Sequence, residues 1–338
     1  MKIALDAMGG DRAPAVEVEG ALSAARELGV EIVLVGDKAL IRAELSRHGG
    51  PHPGISIVHA PSRVTMDDSP SQVVRRKRDS SIWIATELVK SGDVQAVISA
   101  GNTGATMATA LFLLGTLEGV ERPAIAAVLP TVQGTVVLLD VGANVDCKPE
   151  QLLQFAMMGV EYSRSVLHRK NPRVGLLSIG AEDSKGNDLT KEAFKLLKEA
   201  PLSFVGNVEG RDVYSGGADV VVCDGFTGNV ALKISEGLAD AIHRLLKREI
   251  AGSRFGRIGY LFLRGSFSRF RRRLDYAESG GAPLLGVNGL TIICHGRSSP
   301  RAIKNAFRVA KEYFEEGTNR HIQERIRSFG RGENTKDE

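Results

Sequence analysis

The chain has 338 residues, 43% of them hydrophobic and 25% charged, with 38 glycines and 12 prolines. That make-up lets a globular chain bury a full core, and it excludes disorder, collagen and small disulfide scaffolds. Lys and Arg number 44 against 40 Asp and Glu, a net charge of +4, too near neutral for a nucleic-acid coat, so no nucleic acid is expected as a partner.

The first strand is predicted at Ile3–Asp6, and Asp6 ends its apolar stretch before the roughly 7–15 residues of a signal-peptide core, so a cytoplasmic protein is expected. A helix follows over Pro14–Leu28, opened by proline, then strands at Glu31–Val35 and Ile55–His59 and a helical pattern over Ser71–Lys90. Next come a strand at Ala96–Ser99 and a helix over Thr103–Leu114, whose apolar window, Gly104–Leu117, is short of the roughly 20 residues that span a bilayer. Ala124–Leu129 and Gly134–Asp140 read as an antiparallel pair. Beyond them lie a helix over Glu150–Arg169, a strand at Val174–Ile179, a helix over Thr190–Glu199, a strand at Val220–Cys223 and a helix over Asn229–Ile250. Such alternation predicts an α/β fold with a mostly parallel, doubly wound sheet. Residues 1–330 are expected to form one elaborated domain, followed by a disordered tail at 331–338.

Nearly every predicted strand ends in a small or acidic loop, and open α/β sheets bind ligands at that edge, where helix N-termini offer unpaired N–H groups. Asp6, Gly9, Gly10 and Asp11 form the first loop, and Ser99, Gly101, Asn102 and Thr103 the second, where glycines leave room for an anion and Asn102 or Thr103 can cap the next helix. Asn144 lies in the loop after Asp140, and Asp224, Thr227 and Asn229 in that after Cys223. Lys185, in a Ser-Lys-Gly loop, is suited as a point charge for phosphate, although a solvated loop lysine reads equally well. Neither a Gly-x-Gly-x-x-Gly fingerprint nor a Walker loop is present, which disfavours ordinary nucleotide enzymes. Cys147, Cys223 and Cys294 are isolated and expected to be structural. Asp6, Asp11, Asp140, Asp146 and Asp224 gather at strand ends and could chelate a cation, but no metal and no cofactor is assigned.

Six blocks carry a resemblance: Asp6-Ala-Met-Gly-Gly-Asp11, Ile98-Ser-Ala-Gly-Asn-Thr-Gly104, Leu139-Asp-Val-Gly-Ala-Asn144, Gly206-Asn-Val-Glu-Gly-Arg-Asp212, Cys223-Asp-Gly-Phe-Thr-Gly-Asn229 and Gly280-Gly-Ala-Pro-Leu-Leu-Gly286. Together, and in order as far as about Phe314, they resemble the bacterial phosphate acyltransferase family, the acyl-ACP:phosphate transacylases. The resemblance implies transfer of a long fatty acyl chain from acyl carrier protein to inorganic phosphate, giving acyl phosphate for a membrane glycerol-3-phosphate acyltransferase and so for phosphatidic acid. It also implies a homodimer and a fold similar to the isocitrate and isopropylmalate dehydrogenases and the phosphotransacetylases. Because phosphate is itself a nucleophile, such a site works by positioning and electrostatics. Lys185 and the Ser99–Gly104 loop are expected to hold phosphate and Asn229 the oxyanion or thioester carbonyl. His295 would protonate the leaving thiol, with a core network as its alternative. Acyl carrier protein is acidic by the same resemblance, and Arg301, Lys304 and Arg308 could form its docking face. The rivals are a phosphotransacetylase using short acyl-CoA and a non-catalytic membrane scaffold.

Arg254–Arg273 holds seven arginines and no acid among Phe255, Tyr260, Leu261, Phe262, Leu263, Phe267 and Phe270. Without those seven the 44 basic residues become 37 against 40 acidic, a charge of −3 for the rest. An amphipathic helical tip over residues 252–275 is therefore expected to meet an anionic membrane surface through Tyr260, Leu261, Phe262, Leu263, Arg264 and Phe267, making the protein peripherally membrane-associated. A dimerisation arm is the alternative.

Overall fold

A computed structural model describes residues 1–252, 259–260, 262–267 and 280–333. Two sheets carry the fold. In the first, β1 (Lys2–Asp6), β2 (Glu31–Gly36), β3 (Ile55–His59) and β4 (Ala96–Ser99) are joined by β5 (Ala124–Ile125), β11 (Ala282–Leu285) and β12 (Thr291–Ile293), in the order β3-β2-β1-β4-β12-β11-β5. The second contains β6 (Ala127–Thr131), β7 (Gly134–Leu139), β8 (Arg173–Leu177), β9 (Ser203–Val208) and β10 (Val220–Val222), in the order β6-β7-β10-β8-β9. All neighbouring strands are parallel except β6 with β7 and β11 with both β12 and β5. The predicted Ala124–Leu129 strand is thus two, parting at Ala126. The first piece pairs with β11 and the second with β7, so this segment carries the chain from one sheet to the other.

Ten α-helices are described: α1 (Ala15–Leu28), α2 (Lys38–Arg47), α3 (Pro70–Arg76), α4 (Ser81–Lys90), α5 (Thr103–Leu114), α6 (Pro149–Ser165), α7 (Asp188–Glu199), α8 (Gly225–Gly252), α9 (Pro300–Glu315) and α10 (Thr318–Glu333). The single helix predicted over Ser71–Lys90 breaks between α3 and α4, where the Ser80 hydroxyl donates to the Lys77 carbonyl and holds a turn. Helix α8 begins four residues before the predicted Asn229, which puts Asn229 on its first turns. Helix α10 runs to Glu333, so the disordered tail expected from 331 does not begin there; residues 334–338 lie outside the described residues. Of the expected tip, residues 259–260 and 262–267 are helical, and the rest, including Leu261, lies outside the described residues.

Parallel strands with helices on both faces lose water from both faces, and Ile3, Leu5, Ile32, Leu34 and Ile98 are almost wholly buried. One apolar cluster joins these side chains to Leu139, Val174 and Val220 of the second sheet and to Tyr162 and Phe307 of α6 and α9. Helices α1 and α9 meet across Gly20, where a Cβ would come within 2.6 Å of Ile303. This packing sets the carboxyl ends of Asp6, Ser99 and Ile293 side by side in register, and likewise those of Leu139 and Val222.

Candidate active site

The loops after β1, β4 and β12 lock onto one another. Asp6 Oδ2 accepts from the Ser99 hydroxyl at 2.7 Å, that oxygen accepts from the Gly101 N–H at 3.1 Å, and Asp6 Oδ1 accepts from the Met8 N–H at 3.1 Å. A Cβ on Gly9 would sit 2.7 Å from both the Gly101 nitrogen and Asp6 Oδ2, and one on Gly10 would sit 2.2 Å from a Glu17 carboxyl oxygen. Glycine is needed at position 9 because the loop touches the Gly101 backbone, and at position 10 because the Glu17 carboxyl packs against it. The Asp11 N–H donates to the Gly296 carbonyl at 2.9 Å, and the Asp11 carboxylate lies over Gly296. In this cluster Asp6 is wholly buried, and burial raises its carboxyl above the usual range despite the hydrogen bonds it accepts.

Glu17, in the first turn of α1, did not stand out in the sequence. It is buried, and one carboxyl oxygen has no partner among the described residues. Burial pushes the acid up to about 7, against the opposing pull of N–H donors at Glu17 and Gly10, with the charge of nearby Asp6 adding to the rise. Its signal was present in the sequence: Glu17 shares a helix face with Gly20 and Ala21, both buried.

Asn102 accepts the Ala105 N–H at 3.0 Å, capping α5, and its amide nitrogen donates to the carbonyls of Thr65, Met66 and Asp68. It therefore clasps the 65–68 loop over the helix end, while Thr103 stays exposed. The half-buried His295 accepts the Arg297 N–H on Nδ1 at 3.1 Å. A neutral ring held this way carries its proton on Nε2.

At the second sheet, Asp140 organises the loop after β7. Its Oδ1 accepts the N–H groups of Ile125, Gly142 and Ala143, and its Oδ2 accepts the backbone and side-chain N–H groups of Asn144. Asn144 also donates to the Pro123 carbonyl at 2.7 Å. Both residues are thus committed to the loop itself. Asp224 accepts the Thr227 N–H at 2.8 Å and the Thr227 hydroxyl at 2.7 Å, capping α8.

Of the candidate residues at the second sheet, Asn229 and Lys185 have side chains without a hydrogen bond or ion pair among the described residues. Asn229 is exposed with its amide against Gly142, 3.6 Å from where a Cβ would stand, and makes no hydrogen bond among the described residues. Lys185 is exposed with its stem over Gly180, and its ammonium has no ion pair among the described residues. The Lys185 loop is held by Asn207, which donates to the Glu182 carbonyl at 2.8 Å, so the Gly206–Asp212 block acts as a support. The Lys185 and Asn229 loops follow β8 and β10, which are paired neighbours.

Burial raises all three thiols: Cys147 to about 11, Cys294 to about 12 and Cys223 well above its usual value. They are protonated at neutral pH and unsuited to form an acyl-enzyme. Among the described residues no three His, Cys, Asp or Glu side chains gather as a metal site. On α9, Lys304 pairs with Glu27 at 2.7 Å and Arg308 with Glu312 at 2.9 Å. No described helix is long and apolar enough to cross a membrane.

The two sheets, with glycine-rich loops at the carboxyl ends of their parallel strands, form an α/β fold of the kind seen in phosphotransacetylases. Solved structures of the same architecture include a phosphotransacetylase from Streptococcus pyogenes (TM-score 0.63, 18% identity, covering 93% of this chain and 94% of that one). Another is the EutD phosphotransacetylase from Staphylococcus aureus (TM-score 0.58, 18% identity, 92% and 94%). The fatty acid synthesis protein family matches residues 1–321. Phosphate acyltransferases from Geobacter sp. (strain M21) and Desulforamulus reducens are 56% and 55% identical, each over 96% of this chain and over 93% and 97% of their own lengths. The chain belongs to the phosphate acyltransferase family and is an acyltransferase.

Proposed function

We propose that the protein transfers a long-chain fatty acyl group from acyl carrier protein to inorganic phosphate. The observation that carries this reading is the uncommitted pair of Lys185 and Asn229 on adjacent strand-end loops, in a chain whose other polar loop residues are largely occupied in holding those loops. A phosphate oxygen attacks the thioester carbonyl, the C–S bond breaks as the C–O bond forms, and the products are acyl phosphate and the free carrier thiol. Lys185 neutralises part of the phosphate charge, and the Asn229 amide donates to the carbonyl oxygen as it becomes an oxyanion. Hydrogen phosphate gives up its proton as it attacks, that proton ends on the departing thiolate, and the His295 Nε2–H donates a hydrogen bond to the sulfur as it leaves. The loops built on Asp6, Gly9, Gly10, Asp11 and Ser99–Gly104 frame the phosphate, and those of Asn144, Asp224 and Thr227 hold Asn229.

Acyl phosphate is a reactive mixed anhydride, here assigned to phosphatidic acid synthesis by a membrane glycerol-3-phosphate acyltransferase. Peripheral attachment suits that hand-over. Tyr260, Phe262 and Leu263 are exposed, Phe262 at 83%, beside exposed Arg264, and Tyr260 packs on Phe267 with ring centroids 5.4 Å apart. Each basic residue near an anionic surface adds about 1 kcal/mol. A homodimer is supported by α8, whose exposed Phe226, Val230, Ile234, Leu238, Ile242 and Leu245 form one stripe at helical spacing. A stripe of this length needs a covering surface, and a second copy supplies a self-complementary one.

The test is phosphate-dependent loss of acyl carrier protein thioester with detection of acyl phosphate. Lys185→Ala and Asn229→Ala are expected to lower turnover at least about 100-fold while staying folded. Parent-like rates in both variants would refute the site, and consumption of short acyl-CoA alone would refute the carrier. Flotation with anionic liposomes, weakened by salt, is expected; flotation equal on neutral liposomes would refute the electrostatic attachment.

A further inference from the structure

Resting on the acyl-carrier reading above, we propose that the acidic carrier docks on the arginine face of residues 63–78, reached through the loop that overhangs His295, and not on α9. Arg63, Arg75, Arg76 and Arg78 are all exposed, and none has a carboxylate partner among the described residues. Lys77 already neutralises Asp68 at 2.7 Å, so four arginines stand against Asp67 and Asp79, and Asp79 is engaged with the Ser62 hydroxyl. Elsewhere exposed basic residues are commonly answered within the fold, as Arg47 is by Glu44 and Arg327 by Glu118, and the half-buried Lys304 and Arg308 of α9 are answered by Glu27 and Glu312. Unanswered positive charge on a rigid surface is the complement of an acidic protein.

The face is rigid. Arg78 donates to the Val74 carbonyl at 3.2 Å, and its guanidinium lies over the rings of Trp83 and Phe112 at 5.3 and 5.6 Å. The Lys77 ammonium, besides its bond to Asp68, donates to the Arg63 carbonyl, tying the end of α3 to the 63–68 loop.

The face also leads to the site. Asn102 clasps the carbonyls of residues 65, 66 and 68, and Pro70 packs on Gly104 at the start of α5. The Met66 methyl lies 3.0 Å from where a Cβ on Gly296 would stand, next in the chain to His295, the residue proposed above to meet the leaving sulfur. Met66 and Phe112 are more than half exposed, 53% and 55%, giving the arginine face an apolar rim. A thiol that departs at His295 must remain attached to its carrier, and the segment overhanging that point is the one bearing the arginines.

The experiment compares the full-length parent with the triple variant Arg63→Glu, Arg75→Glu, Arg76→Glu, leaving the packed Arg78 in place. Two acyl donors are used with inorganic phosphate: acyl carrier protein thioester and the uncharged acyl N-acetylcysteamine thioester. With the carrier, KM is expected to rise at least about tenfold and to lose most of its salt dependence. With the small thioester, kcat/KM is expected to stay within about twofold of the parent, and Arg301→Glu is expected to leave the carrier KM unchanged. A parent-like carrier KM in the triple variant overturns the proposal, as does an equal loss with both donors, which marks a structural role. A parent that turns over the small thioester but never the carrier overturns the acyl-carrier reading itself.

Discussion

Replacing Glu17 by Gln isolates the cost of ionising a buried carboxyl beneath the Gly9–Gly10 turn. The acid titrates at about 7 in the fold, against 4.5 when unperturbed. Folding therefore favours the protonated form, and the stability this contributes is complete below pH 4.5 and lost as the pH rises through 7. The full loss is about 3 kcal/mol, of which about 2.5 kcal/mol falls between pH 5 and pH 8.5. Glutamine keeps the acceptor for the Gly10 N–H but sets an amide nitrogen where the unpartnered oxygen lies, costing about 1–3 kcal/mol at every pH. That constant cancels in the pH difference. The groups facing Glu17, namely Asp6, Arg12 and the Cys294 thiol, are retained in the variant. Urea unfolding at both pH values and one fixed protein concentration should show variant stability relative to parent rising by about 2.5 kcal/mol on going to pH 8.5. Parallel stability–pH curves for the two proteins would refute a raised Glu17.

Asp140→Asn turns an amide nitrogen toward donors that Asp140 now accepts, and is expected to cost about 2–4 kcal/mol in urea unfolding. Gly228→Ala sets a Cβ 1.9 Å from the Asp140 carbonyl oxygen and should destabilise by at least about 3 kcal/mol, whereas Gly210→Ala, with open space around it, should be tolerated under the same denaturation. Asn102→Ala removes the cap of α5, at about 1 kcal/mol, and frees the 65–68 loop, so limited proteolysis should cut there faster than in the parent. Ile234→Asp with Leu238→Asp should convert a dimer to monomers in sedimentation, and an unchanged mass would exclude the α8 stripe as the interface.

Local chemistry made much of this legible from the chain alone. Period-two and unbroken apolar runs marked β1, β2, β3, β4 and β7, and the small or acidic residues closing them marked the edge where a site forms. Six ordered blocks carried the family. Lys185 and Asn229 were candidates from the sequence because they lie in glycine-bearing loops at predicted strand ends, although a solvated lysine there reads equally well. The Arg254–Arg273 segment stood out in the sequence because it sets seven arginines and no acid among aromatic residues.

What the chain alone could not say was which polar residues were already occupied. Asn102, Asn144 and Asp224 look like ligands for a substrate, yet their partners lie within the fold, 3 to 37 residues away, set by loop closure and sheet register. Glu17 became a high-pKa acid only when α1 packed it beneath the first turn beside Asp6. The division at Ala126 was likewise invisible, because a β-rich run reads the same whether one sheet or two compete for it. Periodicity and ordered motifs depend on neighbours in sequence, and so periodicity sufficed for the class of fold and six motif blocks for the resemblance to the family. Burial and hydrogen-bond satisfaction depend on neighbours in space, and so only the tertiary structure decided which polar side chains were already committed to holding the fold.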